Sequence, residues 1–313
     1  MSAKPHILLA IELPPAALAR LDEHYTVHQV LDSQARLSLP DTVRFAVRAV
    51  VGNGSTEVGP ALLDQLPRLG LVCMRGVGHE GVDLPAMRGR GVLVTNGAGA
   101  NAETVADHAF ALMLAALRDV VRNDALVRSG GWRTATTARP IAHGKRLGIL
   151  GLGDIGRRIA RRGEGFGMAI SYHSRRAVPG SAYTYAPSPL ALAEGADILI
   201  AVLPGGAGTR HVVGAAELAA LGAAGVLVNV GRGSAVDSDA LAAALRAGTL
   251  GAAALDVVDG EPEIPAPLLA APNLTFTPHM AGRSPESGQA GTTLLLDNLR
   301  AFFAGEAVVT PVG

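Results

Sequence analysis

Three segments in the second half of the 313-residue sequence each bring a reactive polar side chain just after an apolar run typical of a β-strand. Arg232 follows the first run, Asp256 and Glu261 follow the next, and His279 follows the last. The carboxyl ends of parallel strands meet at one edge of a sheet, where ligands bind. We therefore expect these four side chains to line one crevice.

The residue types suit proton transfer to a bound acid. The imidazole of His279 can give a proton to a developing alkoxide near neutral pH, and a carboxylate such as Glu261 on its other nitrogen would stabilise and orient the imidazolium. The guanidinium of Arg232 can bind a carboxylate and polarise a carbonyl. Taken singly, an arginine after a strand is usually a surface residue, and one histidine among nine is usually structural. Their repeated placement favours a shared site.

A glycine-rich turn lies upstream of these residues. The hexapeptide Gly151-Leu152-Gly153-Asp154-Ile155-Gly156 follows an apolar strand and opens an amphipathic helix, which is the dinucleotide-binding pattern. Its first glycine permits the turn, the second admits a pyrophosphate, and the third lets helix and strand pack closely, while the helix N-terminus offers free N–H groups. The hexapeptide alone also fits an ordinary turn, but its flanks favour a dinucleotide site.

The end of the next strand predicts which dinucleotide binds. The strand Ala169–His173 runs into Ser174-Arg175-Arg176, with no carboxylate for the ribose hydroxyls of NAD. Two guanidiniums and a hydroxyl suit a 2′-phosphate, which an acidic residue would repel. The alternative is a solvated arginine pair. We predict that NADPH (NADP) is preferred over NADH.

The elements that must position these residues alternate between strand and helix, which predicts an α/β fold with doubly wound parallel sheets. Strands are expected in the first domain at 6–13, 45–51, 69–74 and 92–95. In the second domain they are expected at 147–150, 169–173, 197–203, 226–230, 252–257 and 274–277. One long helix is expected from Asn101 to about Ser129, after a small-residue hinge at 96–100. A last helix, Ser287 to Ala304, is expected to return to the first domain.

The predicted organisation is therefore two Rossmann-like domains, with a cofactor domain inserted into a flavodoxin-like substrate domain. The domain boundaries are expected at 1–98 for the first part of the substrate-binding domain, 99–284 for the dinucleotide-binding domain and 285–313 for the returning helix.

Composition excludes several other classes of protein. Formal charge balances to zero, so neither nucleic acid nor a membrane surface is an expected partner. The single cysteine, Cys73, rules out an internal disulfide framework. No apolar stretch is long enough to span a bilayer, and no secretory leader is evident. The expectation is a reduced, cytoplasmic protein without a metal site.

Over nearly its whole length the sequence resembles the D-isomer-specific 2-hydroxyacid dehydrogenases. The matching motifs are Gly76-Val77-Gly78 with Asp83, Val94-Thr95-Asn96, Thr104-Val105-Ala106-Asp107-His108, Gly151 to Gly156, Leu203-Pro204 with Thr209-Arg210, Asn229 to Asp237, Leu255 to Pro262, and Thr277-Pro278-His279. Asp107 stands where the family more often has glutamate.

The resemblance implies a catalytic triad of Arg232, Glu261 and His279. Arg232 and His279 would also contact the substrate, whose carboxylate would bind the backbone at Val77 and Gly78. The remaining implied residues bind the cofactor, with Asp256 at the nicotinamide amide; they are Thr104, Gly151, Gly153, Asp154, Ile155, Gly156, Ser174, Arg175, Arg176, Leu203, Pro204, Thr209, Val230 and Gly231.

The resemblance also implies a homodimer formed through the cofactor domains, and reduction of a small 2-oxo acid. Ser174-Arg175-Arg176 looks like the glyoxylate and hydroxypyruvate reductases of the family. A reductase of a bulkier 2-oxo acid, such as hydroxyphenylpyruvate, is the alternative within the enzyme class. From a different class, a binding protein of the same fold that senses the nicotinamide redox state is a further alternative. The loops at 75–81 and 132–139 are expected to set the substrate side chain.

Overall fold

A computed structural model describes residues 4–133 and 138–312. Part of the substrate loop predicted at 132–139 therefore lies outside the described residues. The chain forms two compact units, Met1–Asn101 with Ser284–Gly313, and Ala102–Arg283. In the described part of the chain, no helix has both the length and the apolar character needed to cross a lipid bilayer.

The first unit is a five-stranded parallel sheet covered by helices, with strand order β2-β1-β3-β4-β5. This is the flavodoxin-like order. Its strands are β1 His6–Leu9, β2 Thr26–Gln29, β3 Val47–Gly52, β4 Leu71–Met74 and β5 Leu93–Thr95. Its helices are α1 Pro15–His24, α2 Asp41–Arg44, α3 Pro60–Gln65, α4 Leu84–Gly89 and, from the end of the chain, α12 Pro285–Ala304.

Helix α12 packs on this first sheet. Leu295 and Leu299 are buried among Ile7, Leu9 and Cys73. Complete burial raises the pKa of the Cys73 thiol to about 12, because the thiolate has no solvent to stabilise it. Cys73 is therefore a core side chain and not a reactive one.

The second unit is a seven-stranded parallel sheet with strand order β12-β11-β10-β9-β6-β7-β8. Its strands are β6 Arg146–Leu150, β7 Ala169–His173, β8 Thr184–Tyr185, β9 Ile198–Ala201, β10 Val226–Asn229, β11 Ala252–Leu255 and β12 Leu274–Phe276. Its helices are α5 Ala102–Arg118, α6 Val120–Arg128, α7 Asp154–Gly165, α8 Pro189–Glu194, α9 Ala215–Leu221, α10 Ser238–Ala247 and α11 Ala266–Leu269. The strand order reverses between β6 and β9, the switch point at which doubly wound folds bind ligands.

The parallel α/β architecture predicted from the sequence is confirmed, but two strands were missed. Strand β2 contains Thr26, Val27, His28 and Gln29, so it has no apolar run to reveal it, and it pairs with β1 at the edge of the sheet. Strand β8 has two exposed residues and is recognisable only from its pairing with β7.

Several predicted strands were too long, because hydrogen bonding to neighbours ends before the apolar run does. The run predicted at 6–13 is a strand only over His6–Leu9, and the run at 197–203 only over Ile198–Ala201. The chain beyond each strand belongs to the loops at the carboxyl edge. The apolar run thus continues into residues that line this edge.

The single long helix predicted from Asn101 to Ser129 is wrong, because the chain forms two helices, α5 and α6. The break is at Asp119, whose φ of 57° is left-handed. Aspartate tolerates this conformation better than most residues. Its carboxylate lies 3.7 Å from Nε of Arg139, which follows in the same unit.

Candidate active site

The glycine turn lies at the switch point, between β6 and α7. Gly151 has a φ of 101°, and its N–H donates to the carbonyl of His173 at 2.8 Å. The N-cap residue of α7 is Gly153, which has no side chain to cap the helix and has open space around the position of a Cβ. The first turn of α7 is therefore accessible to a phosphate. This cradle fits the pyrophosphate of a dinucleotide.

Gly156 holds α7 against the turn. A Cβ on Gly156 would lie 2.0 Å from the carbonyl oxygen of Gly151, which is backbone and cannot move aside independently. Asp154 and Ile155 begin the helix between these glycines, and Asp154 forms an ion pair with Arg158 one turn later. Close packing at Gly156 thus sets the direction of the helix N-terminus.

We expect Gly156→Ala to lower the melting temperature by about 2 °C or more, since overpacking typically costs about 1–3 kcal/mol. The displaced helix should also lose affinity for dinucleotide. Thermal unfolding and NADPH titration by fluorescence measure the two effects. The matched control is Gly165→Ala at the other end of α7, where a Cβ meets no atom within 4 Å. Equal behaviour of the two variants would contradict this account.

The segment predicted to choose the cofactor follows β7 at the same edge. Arg175 and Arg176 are exposed, and no salt bridge to either guanidinium occurs within residues 4–133 and 138–312. The hydroxyl of Ser174 donates to the carbonyl of Arg176 at 2.9 Å. Tyr185 of β8 donates its hydroxyl to the carbonyl of Ser174 at 3.3 Å, and its ring stacks on that of His173 with centroids 6.0 Å apart. The turn is therefore held through its backbone, which leaves both arginine side chains in solvent.

The loop after β9 contains the predicted cofactor residues Leu203, Pro204 and Thr209. The Thr209 hydroxyl donates to the carbonyl of Pro204 at 2.8 Å and lies 3.1 Å from that of Gly206, so the loop is closed on itself. Its neighbour is the loop after β10, because a Cβ on Gly231 would lie 2.7 Å from both the backbone nitrogen and the oxygen of Leu203.

The loop after β10 also touches the loop after β11. Val230 is buried and its N–H donates to the carbonyl of Ala201 at 3.0 Å. A Cβ on Gly233 would lie 2.0 Å from the carbonyl carbon of Val258. Only glycine permits such a close approach at position 233. The backbone that follows Arg232 therefore contacts the segment at Val258 that leads to Glu261. The predicted convergence at the carboxyl edge is therefore observed for these loops.

Glu261 and His279 form a hydrogen-bonded pair. Nδ1 of His279 is bonded to Oε1 of Glu261, and Oε2 of Glu261 accepts the N–H of Val258 at 3.1 Å. The His279 side chain is 54% exposed and that of Glu261 36%, so a ligand can reach the imidazole. With Nδ1 engaged by the carboxylate, Nε2 is the nitrogen left to exchange a proton with a ligand.

Arg232 lies at the end of β10, which pairs with β11. It is half-buried, and its Nη1 donates to the carbonyl of Gly231 at 2.9 Å. Asn229, fully buried, fixes this turn by accepting the N–H of Gly231 at 3.1 Å and donating to the carbonyl of Arg232 at 3.0 Å. Asn229 begins one of the family motifs, but no role was predicted for it from the sequence. Its signal is a polar residue that ends an otherwise apolar strand.

Asp256 is 2% exposed, and its carboxylate is bonded to the segment that carries His279. Oδ1 accepts the Thr277 hydroxyl at 2.5 Å and the N–H of Met280 at 2.8 Å, while Oδ2 accepts the N–H of Ala281 at 2.9 Å. A nicotinamide contact is the role that the family resemblance implies for Asp256. The structure adds a role within the protein, because the Asp256 carboxylate holds the turn after β12 in place.

The predicted substrate residues Val77 and Gly78 belong to the first unit, in the loop after β4. The side-chain amide of Asn96 donates to the carbonyl of Val77 at 2.8 Å, and the N–H of Gly97 donates to Gly76 at 2.8 Å. Among the described residues, neither the N–H of Val77 nor that of Gly78 has an acceptor. The loop is thus fixed through its carbonyls. Asp83, the motif's acidic residue, is the N-cap of α4.

Helix α5 carries the predicted cofactor residue Thr104, which is half-buried. Asp107, where the family more often has glutamate, pairs with Arg162 of α7 at 2.6 Å. Glu103 pairs with the same arginine at 2.8 Å, and the hydrogen bond from Arg162 lowers the pKa of the Glu103 carboxyl. The aspartate is therefore long enough to bridge α5 and α7.

Three features define an oxidoreductase that uses a nicotinamide dinucleotide. They are the doubly wound sheet, the glycine cradle at its switch point and the histidine–glutamate pair at its carboxyl edge. Residues 110–281 match the model of the D-isomer specific 2-hydroxyacid dehydrogenase, NAD binding domain. The chain belongs to the D-isomer-specific 2-hydroxyacid dehydrogenases, as its sequence motifs indicated. It is thus an NAD(P)-dependent enzyme that acts on the CH–OH group of 2-hydroxy acids.

The relatives include two reductases and a solved structure. Glyoxylate/hydroxypyruvate reductase A HPR2 of Arabidopsis thaliana is 40% identical over 293 residues, covering 93% of this chain and 94% of that protein. Hydroxyphenylpyruvate reductase of Plectranthus scutellarioides is 40% identical over 268 residues, covering 85% and 86%. The NADPH-dependent glyoxylate/hydroxypyruvate reductase of Sinorhizobium meliloti, solved with NADP and malonate, has a TM-score of 0.91 at 38% identity, covering 99% of this chain and 97% of that one.

Proposed function

We propose that this enzyme is an NADPH-preferring reductase of small 2-oxo acids, acting on glyoxylate and hydroxypyruvate. The observation that carries the proposal is the His279–Glu261 pair at the carboxyl edge of the sheet whose switch point holds the glycine cradle. A bound nicotinamide would supply a hydride to the keto carbon. The enzyme's own residues must then supply a proton and bind the acid.

His279 acts as the proton donor in this proposal. Its imidazolium gives the Nε2 proton to the keto oxygen as that oxygen becomes an alkoxide. Glu261, bonded to Nδ1, fixes the ring and stabilises the charged form before transfer. Arg232, whose turn is fixed by Asn229, binds the carboxylate and polarises the carbonyl. In the first unit, the N–H groups of Val77 and Gly78 are the proposed backbone donors to a substrate carboxylate.

The proposed preference for NADPH rests on the turn after β7. Arg175 and Arg176 are exposed and are the groups proposed to bind a 2′-phosphate, and the hydroxyl of Ser174 lies in the same turn. The remaining proposed cofactor contacts come from the glycine cradle and from the loops after β9, β10 and β11. The Sinorhizobium meliloti relative supports the preference, since it is named as NADPH-dependent and was solved with NADP.

A bulkier substrate is the second candidate, which the hydroxyphenylpyruvate reductase relative favours. A steady-state comparison of glyoxylate, hydroxypyruvate and hydroxyphenylpyruvate with NADPH separates the two. We expect kcat/KM for the first two to exceed that for the third by about tenfold or more, the effect of about 1.4 kcal/mol in transition-state binding. The reverse order would replace the proposed substrate. NADPH binding without turnover of any 2-oxo acid would instead indicate a redox sensor.

We also propose a homodimer formed through the second unit. Helix α6 has no buried residue, and Val120, Val121 and Val127 are 53%, 56% and 51% exposed. An apolar surface of this kind is typical of a protein interface. Light scattering after gel filtration should give about twice the 31.9 kDa chain mass. Val121→Asp should shift the mass towards the monomer, whereas Leu269→Asp, at an exposed leucine of α11, should not. A monomeric parent protein would refute the proposal.

A further inference from the structure

A chain of hydrogen bonds connects α5 with the carboxyl edge of the sheet. Nε2 of His108, whose side chain is 23% exposed, lies 2.9 Å from the hydroxyl oxygen of Thr277 and 3.5 Å from Oδ1 of Asp256. The Thr277 hydroxyl is 2.5 Å from the same Oδ1. Histidine, threonine and aspartate thus come from three different elements, α5, the end of β12 and the end of β11.

The direction of these bonds follows from the chemistry of the groups. An ionised carboxylate only accepts hydrogen bonds, so the Thr277 hydroxyl donates its proton to Asp256. The Thr277 oxygen then accepts from Nε2–H of His108, which fixes the tautomer of a neutral His108. Each donor orients the next group, so loss of His108 or of the Thr277 hydroxyl leaves the Asp256 carboxylate less well held.

Asp256 in turn holds the turn that carries His279. Its carboxylate accepts the N–H groups of Met280 and Ala281, and its backbone carbonyl accepts the N–H of His279 at 2.8 Å. His279 has a φ of 53°, a left-handed conformation that a non-glycine residue keeps only when its surroundings impose it. The N–H of His279 also lies 3.1 Å from the carbonyl oxygen of Thr277, so the contacts to Asp256 are among those that hold this conformation.

We propose that His108 and Thr277 are positioning residues, which act through Asp256 to keep His279 aligned for proton transfer. The inference rests on the proposed role of His279 as the proton donor. A small rotation of the turn would leave the Glu261 bond able to re-form, but would move Nε2 away from the keto oxygen. Such misplacement lowers the rate of the chemical step more than it weakens binding.

Two matched pairs of variants test the proposal. Thr277→Val removes the hydroxyl at nearly constant shape, and Thr277→Ser keeps it. His108→Leu removes the donor, and His108→Gln presents an amide N–H near the position of Nε2. We expect Thr277→Val and His108→Leu each to lower kcat about tenfold, while KM for NADPH changes less than about twofold. The serine and glutamine variants should recover most of the loss, and the double variant should be no worse than either single one.

Hydrogen exchange in the cofactor-free protein gives a readout that does not depend on turnover. Loss of the Thr277 hydroxyl should speed exchange at the amides of Met280 and Ala281 about tenfold, since both donate to Asp256. Thr275→Val, the same change within β12, should leave these amides and kcat unchanged. Unchanged kcat and exchange in folded Thr277→Val and His108→Leu proteins would overturn the positioning role.

The two proposals fail in different ways. If His279→Ala stays active, the proton-donor role fails and the positioning role with it, even where exchange at Met280 and Ala281 accelerates. If His279→Ala is inactive but Thr277→Val and His108→Leu keep the parent kcat, only the positioning role fails. A lower melting temperature without any change in kcat would likewise show that the hydrogen bonds of His108 and Thr277 contribute to stability alone.

Discussion

His279→Ala is expected to lower kcat by about 100- to 10,000-fold, the usual contribution of a general acid. The hydrogen bond to Glu261 orients the imidazole of His279 for proton donation, and more than half of the His279 side chain is exposed to solvent. NADPH affinity should stay within about twofold, because the residue acts on the substrate oxygen and not on the cofactor. Stopped-flow or steady-state turnover together with a fluorescence titration of NADPH measures the two quantities.

Glu261→Gln provides the graded counterpart of this experiment. Glutamine can still bond to Nδ1 of His279, but it lacks the charge that stabilises the imidazolium, so kcat should fall less than in His279→Ala. His24→Ala, at an exposed histidine of α1 in the first unit, is the matched control and should behave like the parent. A His279→Ala enzyme with parent-like turnover would refute the assigned proton donor. Loss of NADPH binding in the same variant would instead indicate that the residue maintains the cofactor site.

The parts of the fold that were predictable from sequence are those encoded by local pattern. The glycines at 151 and 156 have their predicted places in the turn because each meets a short-range steric requirement, and Gly153 leaves open space at the start of α7. The apolar runs similarly reveal buried parallel strands. Polar residues that follow these strands are then predicted to lie close together, since parallel strands end at one edge of a sheet.

What could not be predicted depends on contacts between segments distant in the sequence. The break at Asp119 leaves the helical periodicity of its neighbours intact, so nothing local distinguishes it from a helical residue. The bonds of Asp256 to Thr277 and Met280 span more than twenty residues, and only the folded chain brings them together. For the same reason the sequence assigned Asp256 to the cofactor alone, and gave no role to Asn229 or Thr277.

The turn after β7 was predictable from local sequence pattern in part, and in part depends on contacts with a distant segment. Ser174, Arg175 and Arg176 were singled out by their distance from the glycine turn. Their support by β8 was not foreseen, although Tyr185 bonds to Ser174 and stacks on His173. An anchored backbone presents the guanidiniums at lower entropic cost than a free loop would. This anchoring is the physical reason to expect a measurable effect from either arginine.

Arg175→Ala is expected to lower kcat/KM for NADPH by about 10- to 100-fold, because a charge-assisted hydrogen bond to phosphate contributes about 1.5–3 kcal/mol. The same ratio for NADH should change less than about twofold, since NADH has no 2′-phosphate. Arg176→Ala should act in the same direction, and the double variant should approach equal use of the two cofactors. Added salt should weaken NADPH binding by the parent more than NADH binding, as expected for exposed charges.

Ser174→Asp tests the same site from the opposite side. A carboxylate at the end of β7 would repel the 2′-phosphate and accept from the ribose hydroxyls of NADH, so the preference should reverse. Arg68→Ala, at an exposed arginine of the first unit, controls for the loss of one positive charge and should leave both ratios unchanged. If the parent enzyme uses NADH as well as NADPH, the proposed preference is wrong. If Arg175→Ala impairs both cofactors equally, the arginine contacts a part that they share, such as the adenine or the pyrophosphate.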